Sequence, residues 1–543
     1  MTSPLPAVPC RKVIVLVVHG VGEQRRFDQL EAIAANFYSA LQNNDRNPVI
    51  QVHFGDQIAH CSLEQSWRET PVTIRWNHDS GKPNTPTACM EAKFREVHWA
   101  DLDTELDFVG WWKFVGWSLS IAGVRFFSKT YTGVRAPCTL SWLRQLGVRA
   151  KLFLLSLFFL VLLGTVGLLD IVLKRLAIKI KILERAYRLF FDYLGDIKLY
   201  QDWFRRGEAR AELIGEKSRV AIRRRMARVL LRTASEALDD PGIDGFYICS
   251  HSLGTVVSFN SLMELEAVLP DYLTEEEWTG LSDQLKKSVP QPPPAEHRDR
   301  PTRRPWLDPY KNGFAGVDRA VLFEKCLGFI TLGSPLDRFA AIWPAIVPIN
   351  EQNVPSPVPW INVYDVQDPI AGGDLRLFEC AVGGSDIGGL SPPTNVAWPD
   401  CSWFFKAHNS YWKVTPGKER LMDAIARWVE GSPFSLSGVG TVKAKARAAW
   451  LRVRYFVTLA LVSTVLLLLF ASLVRLGTKI FLKFTEDDQW ARALREWLRD
   501  HFIVGPYTDT IPFIIVCALI VGVSLIVVCS VIRHVWEVLK FGR

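Results

Sequence analysis

Apolar positions along this chain fall into short runs and long runs, and the two predict different things. The short runs read as strands. Lys12 to Val18 is a β-branched stretch that ends in His19-Gly20, the pattern of a buried parallel strand leading into a loop and helix. Phe94 to Trp99 is a second strand candidate, and Gly245 to Ser250 runs into a Gly-containing turn and then an apolar helix from Thr255. Leu327 to Leu332 ends in Gly-Ser-Pro, and Trp360 to Tyr364 ends in an Asp-rich turn. Strands alternating with helical stretches predict an α/β fold, a doubly wound and mostly parallel sheet. Lys286 to Pro309 holds seven prolines among many charges, which predicts a disordered or lid-like loop.

The long runs read as membrane segments. Tyr455 to Val474 and Ile511 to Ile532 contain no charged residue. Twenty helical residues span about 30 Å, the thickness of a bilayer core. Lys443, Lys445, Arg447, Arg452 and Arg454 precede the first run with no acid among them, and the C-terminal tail is also basic. The excess of cations predicts a transmembrane hairpin with both outer flanks in the cytoplasm. A third run, Leu152 to Leu169, has basic flanks on both sides and so no preferred orientation. The strand candidates lie before and after it, so an even number of crossings is required. The run either pairs with Phe108 to Phe127, which carries Trp111, Trp112 and Trp117, or enters and returns near Gly164 and Gly167. Lys174 to Phe191 suits a helix lying on an anionic membrane surface.

These patterns divide the chain into five parts. Residues 1–104 and 193–431 form the α/β domain, and 105–192 form a membrane-associated helical insertion. Residues 432–454 are linker and basic flank, and 455–543 are the terminal hairpin and tail. The 543 residues carry 64 Lys and Arg against 56 Asp and Glu, a net charge of +8. That excess is too dilute for a nucleic-acid partner, and the flanks of the apolar runs account for it. Ten scattered cysteines form no CxxC pair, which argues against a zinc site or a disulfide framework and for a reducing compartment. No apolar run precedes Val13, so no signal peptide is expected. The chain is expected to be an integral membrane protein with its α/β domain in the cytoplasm, at a bacterial cytoplasmic membrane or the cytosolic face of an organelle.

One short string carries most of the chemistry. Ser250-His251-Ser252-Leu253-Gly254 follows an apolar strand and precedes a helix, the setting of a nucleophile elbow. A sharp turn there exposes the Ser252 hydroxyl, and small residues at both ends let the turn close. The Leu253 N–H and the helix N-terminus then face a developing oxyanion. Val18-His19-Gly20-Val21-Gly22 follows the first strand and offers a second oxyanion donor, the Val21 N–H. It lacks the Gly-Lys-Ser/Thr ending of a phosphate loop. Asp368 and then His408 complete the order Ser, Asp, His, with Asp365 as the rival acid. Asp337 reads as a helix cap and His98 as a core residue. No His, Cys or Asp spacing suggests a metal, and the chemistry needs no cofactor.

The combination resembles the α/β-hydrolase superfamily, in its lipase and esterase branch with a His-Gly oxyanion turn. The elbow, with the segment Tyr193 to Tyr200, also resembles intracellular phospholipases that prefer phosphatidic acid. The likeness covers residues 12–27, 92–102 and about 190–430, in pieces, and leaves out the membrane segments. Ser250 stands where most members have Gly. The resemblance implies a serine hydrolase acting on acyl esters of lipids, and the apolar runs add a membrane anchor, with the bilayer as partner. Alternatives are a thioesterase for lipidated proteins, a toxin-type phospholipase, and a catalytically silent scaffold.

Overall fold

The computed structural model describes residues 10–20, 27–44, 46, 48–52, 72–78, 88–99, 200, 218–290, 301–307, 313–342, 346–350, 354–368, 388–398, 407–409, 411 and 421–436, with single positions in 370–378 and 450–472. The chain divides into two compact units. The first comprises Met1–Glu105, Thr130–Ser141 and Asp192–Ala444; the second comprises Leu106–Lys129, Trp142–Phe191 and Lys445–Arg543.

The first unit is built on an eight-stranded, mostly parallel sheet. Its strands in chain order are β1 (Cys10–Val18), β2 (Val49–Val52), β3 (Val72–His78), β4 (Ala88–Val97), β5 (Ile243–His251), β8 (Cys326–Leu332), β9 (Trp360–Asp365) and β10 (Thr394–Trp398). A separate hairpin pairs β6 (Lys286–Val289) with β7 (Phe314–Val317). Across the large sheet the order is β10-β9-β8-β5-β1-β4-β3-β2. Every neighbouring pair from β10 to β4 is parallel, while β3 runs antiparallel to both β4 and β2. The strands before and after the insertion therefore lie side by side, β1 against β5.

Why β1 takes the centre is plain from its composition. Val13 to Val18 are all buried, as a strand covered on both faces requires. On one face Val13, Val15 and Val17 share a core with α1 (Asp28–Asn43) and α7 (Leu421–Val429). Leu30, Ile33, Ala34, Phe37 and Leu41 of α1 recur at helical spacing and supply its buried stripe. On the other side Arg95 of β4 reaches α2 (Ser218–Asp239), donating to Thr233 Oγ1 at 2.8 Å and Glu236 Oε2 at 2.7 Å. Burial opposes the charge of Glu236, but Arg95 and Lys93 outweigh it and hold its carboxyl below the usual range. Helix α3 (Leu253–Leu262) follows β5 directly and packs beside α2. Three short helices follow among the described residues: α4 (Glu275–Thr279), α5 (Arg319–Glu324) and α6 (Leu336–Ile342).

Several expectations change here. The Pro-rich stretch is not a loop from its first residue, because Lys286 to Val289 pair with β7 and Lys287 Nζ sits 2.6 Å from Glu266. The elbow helix begins at Leu253 rather than Thr255, with Ser252 as its cap. The expectation of no disulfide is corrected by a bond between Cys10 and Cys89. These residues are 79 apart in sequence but are register partners on the adjacent strands β1 and β4. Among the described residues no helix is long and apolar enough to cross a membrane. Runs 108–127, 152–169 and 511–532, with 174–191 and the segment 193–199, lie outside the described residues. Positions 457, 461, 464, 468 and 472 of the run 455–474 are helical, and Val457, Leu461 and Leu468 are exposed.

Candidate active site

All the candidate groups within the described residues gather at the carboxyl ends of β1, β5, β8, β9 and β10. This is where an open parallel sheet leaves room for a ligand, and the chain reverses its direction of growth between β1 and β5. Ser252 is the first residue beyond β5. Its backbone sits at φ 54° and ψ −130°, a conformation L-residues seldom adopt. The surroundings enforce that strain. The Ser252 N–H donates to Leu332 O at 3.0 Å, and Thr255 Oγ1 donates to Ser252 O at 2.7 Å. Thr255 Oγ1 also pairs with Ser334 Oγ at 2.8 Å, beyond the end of β8. Under the turn, Ser250 Oγ meets Ser258 Oγ at 2.7 Å, so the hydroxyl of Ser250 is satisfied within the fold.

Glycine is required at two places. A Cβ on Gly254 would lie 2.3 Å from His19 O, so only Gly lets α3 start against the end of β1. A Cβ on Gly20 would lie 2.5 Å from the Ser252 Cβ. The His-Gly turn thus abuts the serine. His19 is fully buried, with its ring stacked on Trp99 at 4.7 Å between centroids. Its Nε2 accepts from the Trp99 N–H at 3.0 Å, so Nδ1 carries the proton and donates to Gly20 O at 2.8 Å. Val21 lies outside the described residues. Leu253 is buried in the first turn of α3, next to the serine.

A chain of hydrogen bonds connects three distant parts of the sequence. His408 Nε2 is 2.7 Å from Ser252 Oγ, and His408 Nδ1 is 2.9 Å from Asp368 Oδ2. All three residues are buried. Asp368 is held from several sides: Oδ1 accepts from the N–H groups of Ile370 and Ala371 at 2.8 and 3.1 Å, and Oδ2 accepts from the Tyr411 hydroxyl at 2.7 Å. Burial opposes its charge, but His408, the Ile370 N–H and Tyr411 outweigh burial and hold the carboxyl below its ordinary value. A carboxylate facing Nδ1 leaves Nε2 as the basic nitrogen, aimed at the serine. This is the geometry a nucleophilic serine needs.

The rival acid Asp365 is placed elsewhere. It ends β9, and its Oδ1 accepts from the Gln367 N–H at 2.7 Å. His98 follows β4 with its ring 5.2 Å from that of His19, and Asp337 lies in the first turn of α6. Sequence reasoning missed Tyr411. Its hydroxyl accepts from the Asp365 N–H at 3.0 Å while donating to Asp368. Burial first, then the neighbouring Asp368 charge, push its phenol well above the usual value, so it stays a donor. The only signal was its place three residues after His408.

Among the described residues no group of three or more His, Cys, Asp or Glu is arranged to hold a metal ion. Comparison with protein-family models, characterised proteins and solved structures finds no match to this chain.

Proposed function

We propose that this chain is a membrane-anchored serine hydrolase of the α/β-hydrolase type that cleaves acyl esters, above all those of lipids. The observation that carries the reading is the continuous hydrogen-bonded line from Asp368 through His408 to Ser252 Oγ, which sits on a strained turn. Ser252 attacks the ester carbonyl while His408 Nε2 takes its proton. The Leu253 N–H receives the oxyanion, with the Val21 N–H as the second donor on the sequence reading, and each such donor contributes roughly 3 kcal/mol. His408 then protonates the leaving alcohol, and water activated by the same histidine releases the acid. Asp368 remains ionised throughout and stabilises the imidazolium. The group needs no metal or cofactor to complete this cycle.

Membrane anchorage rests on the uncharged runs 455–474 and 511–532 and on the cations from Lys443 to Arg454. Exposed apolar side chains at Trp450, Val457, Leu461 and Leu468 suit a lipid surrounding. We place the α/β unit on the cytoplasmic side, where the basic flank lies.

The test compares hydrolysis of a short-chain nitrophenyl ester with hydrolysis of phospholipid in mixed micelles by the full chain in detergent. The reading expects both activities, with loss of at least about 10³-fold in Ser252→Ala and His408→Ala. Activity untouched by either substitution would refute it.

A further inference from the structure

His251, the last residue of β5, does more than fill the elbow. It lies next to Ser252 in sequence, and its Nε2 is 2.8 Å from the main-chain O of His408. A carbonyl only accepts, so Nε2 must carry the proton, and the tautomer of His251 is fixed. The two imidazoles lie 4.7 Å apart between centroids, inclined by 33°, and the Tyr411 ring meets His251 edge-on at 5.8 Å. His408 stands in a turn directly after Ala407, which is helical. Its place is set by what grips it. Asp368 holds one ring nitrogen and Ser252 meets the other. The bond from His251 ties the main chain of His408 to the strand that carries the serine.

We propose that His251 is a positioning residue: its Nε2–H ties the His408 carbonyl to the end of β5 and so sets the Ser252–His408 distance. This rests on the serine-hydrolase reading. Burial, followed by the neighbouring His408, pushes the His251 pKa down to about 3. The ring therefore stays neutral when His408 becomes an imidazolium during turnover, and it keeps donating to the same carbonyl. A second cation at this spacing would oppose that step.

Three substitutions in the full chain test the role. His251→Phe keeps a ring and removes the donor. His251→Gln returns an amide N–H at the reach of Nε2, whereas His251→Asn places it at the reach of Nδ1. The probes are kcat and KM on a short-chain nitrophenyl ester and the rate of labelling by a fluorophosphonate. The expected result is a kcat and labelling rate reduced roughly 100-fold in the Phe and Asn variants at unchanged KM, the size of effect that a misplacement of about 1 Å produces. The Gln variant returns to within about tenfold of the native chain. Should the Phe variant fail to fold, the Gln and Asn pair decides. Native labelling with equal rates in Gln and Asn would overturn the role of His251 alone. A folded native chain that is not labelled at all would overturn the hydrolase reading and this role together.

Discussion

At the scale of single residues, the site depends on groups that do no chemistry themselves. Tyr411 is the clearest case, since one hydroxyl satisfies the buried Asp365 N–H and the Asp368 carboxylate at once. Asp368 has its pKa lowered in the fold despite its burial, through His408, the Ile370 N–H and Tyr411. A lowered acid pKa adds stability above the unfolded value, near 3.9, and that stability is lost as pH falls through the folded value. Tyr411→Phe removes one of the groups that lower it. The variant should lose about 1–3 kcal/mol at neutral pH, as expected for orphaned buried partners. The deficit should narrow as pH falls from the unfolded value through the folded one, where Asp368 becomes protonated in both chains. Denaturant melts in a series from pH 7 down through the acid range measure this, and a deficit that does not narrow at the acid end would contradict the role given to the hydroxyl.

Elements meet at the site through very close contacts, and these explain which parts of it could be read in advance. Ser252, Asp368 and His408 were legible because each follows a strand or sits in a recognisable turn, and chain order did the rest. Leu253 and the His19-Gly20 turn were legible for the same local reason. The bond from His251 to His408 was not, because it joins residues 157 apart through folding alone. The Cys10–Cys89 bond escaped equally, since it depends on the register of β1 against β4. Strand β3 was overlooked although its pattern was present. Val72, Ile74 and Trp76 are buried while Arg75 is exposed, the alternation of an antiparallel strand. Helix α3 approaches β1 only because Gly254 has no side chain. Gly254→Ala should push α3 away from His19 O, cost about 1–3 kcal/mol through overpacking, and cut ester turnover at least about 100-fold. A melt combined with kcat on the short-chain ester measures both. Native turnover would show that the elbow tolerates a wider spacing.

Over the whole molecule, the apolar runs and the parallel sheet separate cleanly. The runs 108–127, 152–169, 455–474 and 511–532 all fall in the second compact unit, and every described strand falls in the first. Two features bear on the cytoplasmic placement proposed for the sheet. The cations from Lys443 to Arg454 favour the cytoplasm, whereas a disulfide is more at home in an oxidising compartment. On the proposed cytoplasmic placement the Cys10–Cys89 bond of the fold is kept reduced in the cell, so both should be trapped as free thiols when intact cells are alkylated with a permeant maleimide. Trapping them as the disulfide would put the α/β unit on the opposite side.

The central claim is that Ser252 is an activated nucleophile, and covalent labelling of isolated membranes by a fluorophosphonate tests it most directly. The account predicts that the native chain is labelled, that Ser252→Ala is not, and that His408→Ala is labelled at least about 100-fold more slowly. Labelling that persists in Ser252→Ala, or no labelling of the folded native chain either in membranes or in detergent micelles, would contradict it.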